Sequence, residues 1–262
     1  YEHNTAARAV FEEANNVLGF SLTDLMFGKG GDSDAEADEL RKTQNTQPAL
    51  YVHALATLAA MKEAAVFEAT AGHSLGEYSA LAAAGACTFA DGLRAVRLRG
   101  ELMAQAGTER SGTMAAIIGM ANDTLEALCS EATEAGEGVV QPANFNSPGQ
   151  IVVSGDVSAV ARTMALATEK GATKVVPLSV SGAFHSPLMA FAVPGLGTGL
   201  QKMDLCSPQV PVYLNVTAKP ETQPAVIREM LLAQLTAPVR WAQTLEQMKA
   251  DGFERFVEVG PG

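Results

Sequence analysis

Positive charge is in short supply. Eighteen Lys and Arg stand against 29 Asp and Glu over 262 residues, for a net charge of −11 and a sequence pI near 4.8. That balance argues against nucleic acid as a partner, since a phosphate backbone calls for a basic face. It would also repel an anionic substrate, so any such ligand needs local cations; the acidity itself reads as a solubility feature. Cysteine is scarce as well. Cys87, Cys129 and Cys206 form no CxxC pair and an odd number cannot close a disulfide set, so reduced intracellular thiols are expected. The longest charge-free stretch, Val175 to Gln201, is interrupted by Pro177, Pro187, Pro194 and four glycines, which excludes a continuous membrane-spanning helix there. No basic, apolar leader stands at Tyr1, so no targeting signal is expected. A cytoplasmic location follows, or a plastid or mitochondrion if a leader has been removed. Repeats and low-complexity tracts are also lacking.

What is present is a globular composition, 47% hydrophobic and 18% charged, with material for one large domain or two smaller ones sharing an interface. Residues 5–18 predict a helix. Gly28–Glu39, glycine-rich and acidic, predicts a surface loop. Pro48–Lys62 predicts a buried helix, and Phe67–Ala71 a short strand running into Gly72-His73-Ser74-Leu75-Gly76. A helix then continues to Ala84, with Gly85 as its C-cap, and another covers 91–106. The middle third reads strand (Thr113–Met120), helix (Asn122–Ala135), strand (Gln150–Ser154), helix (Asp156–Lys170), strand (Thr173–Leu178). Two strand–helix repeats predict a small α+β insert over residues 112–181. Val210–Val216 and Phe253–Val259 predict strands, and Ala225–Gln234 and Pro238–Ala250 helices.

Gly72-x-Ser74-x-Gly76 is the pattern of a nucleophile elbow, in which a strand turns sharply into a helix with serine at the apex. Flanking glycines let the backbones pass where a Cβ would collide. The N–H of Leu75, at the helix start, then points at a developing oxyanion, and the helix dipole favours charge there. The competing reading is an ordinary helix N-terminus with Ser74 as its cap.

A serine nucleophile needs a base, and only His3, His53, His73 and His185 are available. His3 reads as a surface residue and His53, in an apolar helix, as a satisfied core histidine. His73 adjoins the serine but leaves the turn in another direction, so it shapes the pocket wall. His185, after small residues and before Ser186-Pro187, suits a loop that projects a side chain, and is the base candidate; a plain loop cap is the alternative. Arg99 has Ala95, Val96, Leu102 and Met103 three and four residues away, all apolar. A guanidinium there needs an anionic partner. Either it is a fork for a substrate carboxylate, or it forms a structural salt bridge or snorkels to water.

Taken together, the runs Gly72–Ala80, Arg97-Leu98-Arg99-Gly100, Asn144–Gln150, Gly182–Met189 and Glu258–Gly262 resemble the malonyl-CoA:acyl carrier protein transacylases of fatty-acid synthesis. The resemblance spans almost the whole chain. It implies an α/β fold: an α/β-hydrolase-like part with a parallel sheet (1–111 and 182–262) and a small ferredoxin-like insert (112–181). It implies Ser74 as the acylated nucleophile, His185 as base, and the Gln234 backbone carbonyl in place of an aspartate to orient the histidine. It also implies Arg99 as carboxylate ligand, Gln47 and Asn144 as pocket residues, and Phe184 as the residue that crowds out a methyl-branched acyl group; His73 and Met103 are expected to bind substrate beside them. Malonyl-CoA and acyl carrier protein are the implied partners, with no metal, no bound cofactor beyond the coenzyme A thioester substrate, no membrane, and a monomer.

Two departures accompany the resemblance. The family's usual opening strand and Phe-Pro-Gly-Gln-Gly-Ser-Gln loop, which supplies a second oxyanion N–H, does not precede Tyr1, and a truncated chain is expected. Phe191–Gly199, with Pro194, Gly195, Gly197 and Gly199, predicts a broken helix where the family has a continuous one. A polyketide-synthase acyltransferase, a serine thioesterase or esterase with the same elbow, and a non-catalytic carrier-docking domain are the competing functions.

Overall fold

The computed structural model describes residues 3–28, 33–61, 66–136 and 138–260. In chain order the elements are helices α1 (Thr5–Leu18), α2 (Leu22–Phe27), α3 (Ser33–Arg41) and α4 (Thr43–Met61), strand β1 (Thr70–Ala71), helices α5 (Gly76–Ala83) and α6 (Phe89–Glu109), and strand β2 (Thr113–Ile118). Then follow α7 (Asn122–Glu134), β3 (Val140–Ser147), β4 (Gln150–Gly155), α8 (Val157–Glu169), β5 (Lys174–Leu178), α9 (Ala192–Lys202), β6 (Val212–Tyr213), β7 (Pro220–Glu221), α10 (Pro224–Ala233) and α11 (Trp241–Ala250).

Local chemistry accounts for the well-formed ends. Asn4 accepts the Ala7 N–H and Gly19 closes α1 in the left-handed region, while Thr88 caps α6 by accepting the Asp91 N–H. Along α6 the buried residues Leu93, Val96, Arg99, Gly100 and Met103 recur every three or four positions, so one face turns inward and carries Arg99 with it.

Residues 113–178 build a four-stranded antiparallel sheet in the order β3-β4-β2-β5. Strand alternation gives it two faces. Ala115, Ile117, Phe145, Ile151 and Val153 pack beneath α7 and α8 with Leu125, Leu128 and Val160. Met114, Ala143 and Val152 face the other way and meet Phe184. A second, three-stranded sheet has β1 parallel to β6 and β6 antiparallel to β7. Helices α1, α4, α5, α6 and α9 share its apolar core.

Several expectations need correction. Within the predicted loop Gly28–Glu39, residues from Ser33 onward are helical (29–32 lie outside the described residues), with Asp34 and Glu36 at the positive end of the helix dipole and Arg41 at the negative end. Strand β3, Val140–Ser147, falls where no strand is expected; Pro142, which cannot donate to a ladder, sits beside a register shift. Pro238–Arg240 is not helical, because Val239 pairs with β3 through Phe145 N–H to Val239 O (2.9 Å) and Val239 N–H to Ala143 O (2.8 Å). Phe253–Val259 is not a strand and has no regular secondary structure, and Phe256 and Val257 lie exposed. The broken helix at 191–199 is instead α9, preceded by a 3₁₀ turn at Pro187–Phe191. Pro194 falls in the first turn, where no backbone donor is needed. The glycines are where α6 presses closest: a Cβ on Gly199 would lie 2.2 Å from Leu98 Cδ2, and one on Gly195 2.8 Å from Leu102 Cδ2.

Candidate active site

The elbow forms as its pattern requires. β1 ends at Ala71, α5 begins at Gly76, and Ser74 between them has φ of +51°, a region L-residues avoid. Gly72 is needed because a Cβ there would stand 2.0 Å from Gly76 C and O. Gly76 departs from expectation, since a Cβ on it would meet nothing within 4 Å. The backbone N–H groups of Gly76 and Glu77 turn back to His73 O and Ser74 O (2.8 and 3.2 Å), and Leu75 N–H lies just ahead of them at the helix start.

Ser74 does not cap the helix. Its Oγ lies 2.7 Å from His185 Nε2, across 111 residues of sequence. His185 also has a positive φ, +56°, so both members of the pair sit in strained backbone. His185 Nδ1 lies 2.8 Å from the backbone oxygen of Gln234. A carbonyl only accepts, so Nδ1 carries the proton and Nε2 presents its lone pair to the serine hydroxyl. Burial, and next the Arg99 charge, push His185 down to a pKa of about 3, so the imidazole is neutral at pH 7.

Arg99 is fully buried on α6. Nη1 donates to Gln47 Oε1 at 2.7 Å, and Nη2 to Gln234 Oε1 at 2.9 Å and to Ser74 Oγ at 3.0 Å. No carboxylate pairs with it among the described residues, and its buried Nε has no hydrogen-bond partner. The structural salt bridge and the snorkelling side chain are therefore both set aside. The guanidinium is held by neutral amides, with the Tyr78 ring 5.8 Å away.

The other predicted positions fall around this centre. Gln47 is turned by a contact from its Nε2 to Met103 Sδ (3.4 Å). His73 Nε2 pairs with Asn146 Oδ1 at 2.9 Å, its ring meets Trp241 edge-on at 5.8 Å, and burial lowers its pKa. Phe184 packs between the large core and the outer face of the four-stranded sheet. Asn144 is buried beside Val239, and none of the site's hydrogen bonds reaches it; its neighbour Asn146 makes the contact instead. His3 is exposed. His53 is only partly buried and its Nδ1 has no partner, so it is not the satisfied core histidine expected.

Residues not foreseen complete the arrangement. Gln141 Nε2 donates to His185 O (2.8 Å) and Thr236 O (3.0 Å), tying β3 to the histidine loop. Asn215 and the fully buried Glu77 lie behind the elbow. Glu77 had a usable signal: like Arg99 it has apolar residues, Ala80 and Leu81, three and four positions away.

Known proteins resemble this chain over its full length. The model of the acyl transferase domain matches residues 1–262. A malonyl CoA-acyl carrier protein transacylase of Bacillus subtilis is 44% identical over 263 residues, covering 100% of this chain and 81% of the relative. The Escherichia coli K12 protein of the same name is 43% identical, over 96% of this chain and 80% of its own. FabD from Acinetobacter baumannii superposes with a TM-score of 0.91 at 38% identity, over 100% of this chain and 81% of that one. A malonyl-transacylase solved with its type II polyketide-synthase acyl-carrier protein gives 0.91 at 39% identity, over 98% and 81%. The chain belongs to the acyl transferase domain family, among the malonyl CoA-acyl carrier protein transacylases.

Proposed function

We propose that this chain moves malonyl from coenzyme A to the thiol of acyl carrier protein through a malonyl ester on Ser74, as an acyltransferase of fatty-acid synthesis. The observation that carries the reading is a buried guanidinium with no carboxylate partner among the described residues, 3.0 Å from a serine oxygen that also contacts a neutral imidazole at 2.7 Å.

Ser74 gives its proton to His185 Nε2 as Oγ attacks the thioester carbonyl. The oxyanion takes the Leu75 N–H and the field of the α5 N-terminus. His185 then protonates the departing coenzyme A sulfur, leaving malonyl on Ser74. The carrier thiol runs the same steps in reverse, and the serine recovers its proton. Arg99 holds the free carboxylate throughout, and its charge is then offset where it had depressed the basicity of His185, so substrate binding raises the base toward its working range. Gln47 and Gln234 keep the guanidinium in place, Gln234 O holds the imidazole tautomer, and Phe184 closes the acyl pocket to a branching methyl group. His73 and Met103 line the wall, with Asn144 behind it.

The chemistry needs no metal and no resident cofactor. We read the protein as cytoplasmic and monomeric, the free cysteines supporting a reducing compartment; no helix among the described residues is long and apolar enough to cross a membrane. We read residues 112–181 as a ferredoxin-like insert, supported by the β-α-β-β-α-β order and its antiparallel sheet. Residues 1–111 and 182–262 form the α/β-hydrolase-like part, supported by an elbow at the end of a parallel strand.

Intact mass measured after malonyl-CoA addition should show one malonyl adduct that acyl carrier protein removes. Ser74→Ala should abolish it. An adduct that persists in that variant sinks the nucleophile, and one that water clears without the carrier identifies a thioesterase.

A further inference from the structure

Asn215 grips the strained turn from behind. It follows β6 by two residues, as the elbow follows β1. Because these strands run parallel, both loops leave the sheet at the same edge. The Asn215 amide bridges the two limbs of the elbow: Nδ2 donates to Gly72 O at 2.7 Å and Oδ1 accepts the Ser74 N–H at 2.6 Å. A left-handed serine persists only where its surroundings over-determine it, and these two bonds fix the peptide groups on the N-terminal side of the strained residue, from Gly72 O to the Ser74 N–H.

Asn215 is itself anchored. Its backbone N–H donates to Glu77 Oε2 at 2.7 Å, and its backbone oxygen accepts the Arg240 N–H at 3.0 Å. Glu77 lies in the first turn of α5, three residues after the serine, and is wholly buried. Elbow, Asn215, Glu77 and α5 thus form a closed loop of bonds around Ser74. Gln234 joins it, donating from Nε2 to Ser74 O (3.0 Å) and to Asn215 Oδ1 (3.3 Å). By engaging the Ser74 N–H, Asn215 also leaves the oxyanion to Leu75 N–H.

We propose that Asn215, braced by Glu77, is a positioning residue for the nucleophile, holding the Ser74 hydroxyl in line with His185. The inference rests on Ser74 being the acylated group. A purely structural Asn215 would alter how much protein folds; a positioning Asn215 alters how fast each folded site reacts.

The test compares full-length Asn215→Ala, Asn215→Asp, Glu77→Gln and Glu77→Met. Two acylating reagents are used, malonyl-CoA and a small fluorophosphonate, and rate constant and labelled fraction are recorded separately. Asn215→Ala should slow both reagents by about a hundredfold per labelled site, with KM for malonyl-CoA within about threefold because Arg99 and Gln47 are untouched. Asn215→Asp keeps the acceptor for Ser74 N–H but sets an acceptor against Gly72 O, and should lose about tenfold. Glu77→Met should lose more than Glu77→Gln, which retains an oxygen for the Asn215 N–H. Wild-type rate constants with only a reduced labelled fraction would overturn the proposal, and if Asn215→Ala fails to fold, Asn215→Asp decides by the same criterion. A wild-type protein that neither reagent labels would instead remove Ser74 as nucleophile.

Discussion

The four-stranded unit and the region around Ser74 handle buried polar groups in opposite ways. Beneath α7 and α8 the interior is hydrocarbon, with Ile117, Leu125, Phe145, Ile151 and Val153 in contact, and its polar backbone is spent in ladders and helices. Around the elbow, Glu77, Arg99, His185, Asn215 and Gln234 are all buried and hydrogen-bonded to one another, with Glu77 Oε1 and Arg99 Nε left over. The first arrangement supplies stability and tolerates local change, because each residue contributes an increment of buried area. The second supplies geometry, and each bond there sets the angle of another.

The sharpest way to break that contrast is at Gly72. A Cβ 2.0 Å from the Gly76 backbone must push the two limbs of the elbow apart. Since a misplacement of about 1 Å costs roughly a hundredfold, Gly72→Ala should slow acylation of Ser74 by about 10²-fold or more, read by fluorophosphonate labelling. In the other region, Ile117→Ala should lower unfolding free energy by about 3 kcal/mol in a denaturant titration. The malonyl transfer rate per folded molecule should stay within about twofold. A loss of specific rate in that variant would mean that the two regions are coupled more tightly than their separate cores imply.

Next in size is Arg99→Ala. A charge-assisted hydrogen bond to a carboxylate is worth about 2 kcal/mol, so malonyl transfer should fall about 30-fold relative to acetyl transfer. The ratio is the readout, because Arg99 also touches Ser74 Oγ and its loss affects both substrates through the serine. An unchanged ratio would remove Arg99 from substrate recognition.

The same contrast explains what was legible in the sequence. Periodicity and caps revealed α1, α6, α7 and α8, because a helix or strand states its own hydrogen bonding locally. The elbow pattern exposed Ser74, and the apolar neighbours of Arg99 exposed its burial. Asn215 and Gln141 carry no such signal: each is a polar residue near an element end, and its partners lie 19 to 143 positions away. β3 escaped because its polar run around Pro142 lacks a two-residue alternation. α9 is hidden because proline and glycine break a helix in isolation but not in every setting. In place, Pro194 sits in the first turn and the glycines admit Leu98 and Leu102 of α6.

The smallest expected effect separates the two regions by pH. Burial raises the Glu77 carboxyl from 4.5 to about 7, with the Asn215 N–H and Arg99 opposing the shift. A group whose folded pKa is raised contributes its full stability below the unfolded value, here 4.5, and loses it as pH climbs through 7. Between pH 6 and 8 Glu77 should therefore cost wild type about 1 kcal/mol of stability. The buried histidines act in the other direction: with folded pKa values lowered, they withdraw stability as pH falls below 6.5. That contribution is common to wild type and Glu77→Gln, so it cancels in the difference between them. The variant, neutral throughout, should gain on wild type as pH rises across this window, measured by denaturant unfolding at each pH. A parallel pair of curves would mean that Arg99 holds Glu77 ionised at all these values, and the elbow region would then contain a permanent buried ion pair rather than a titrating brace.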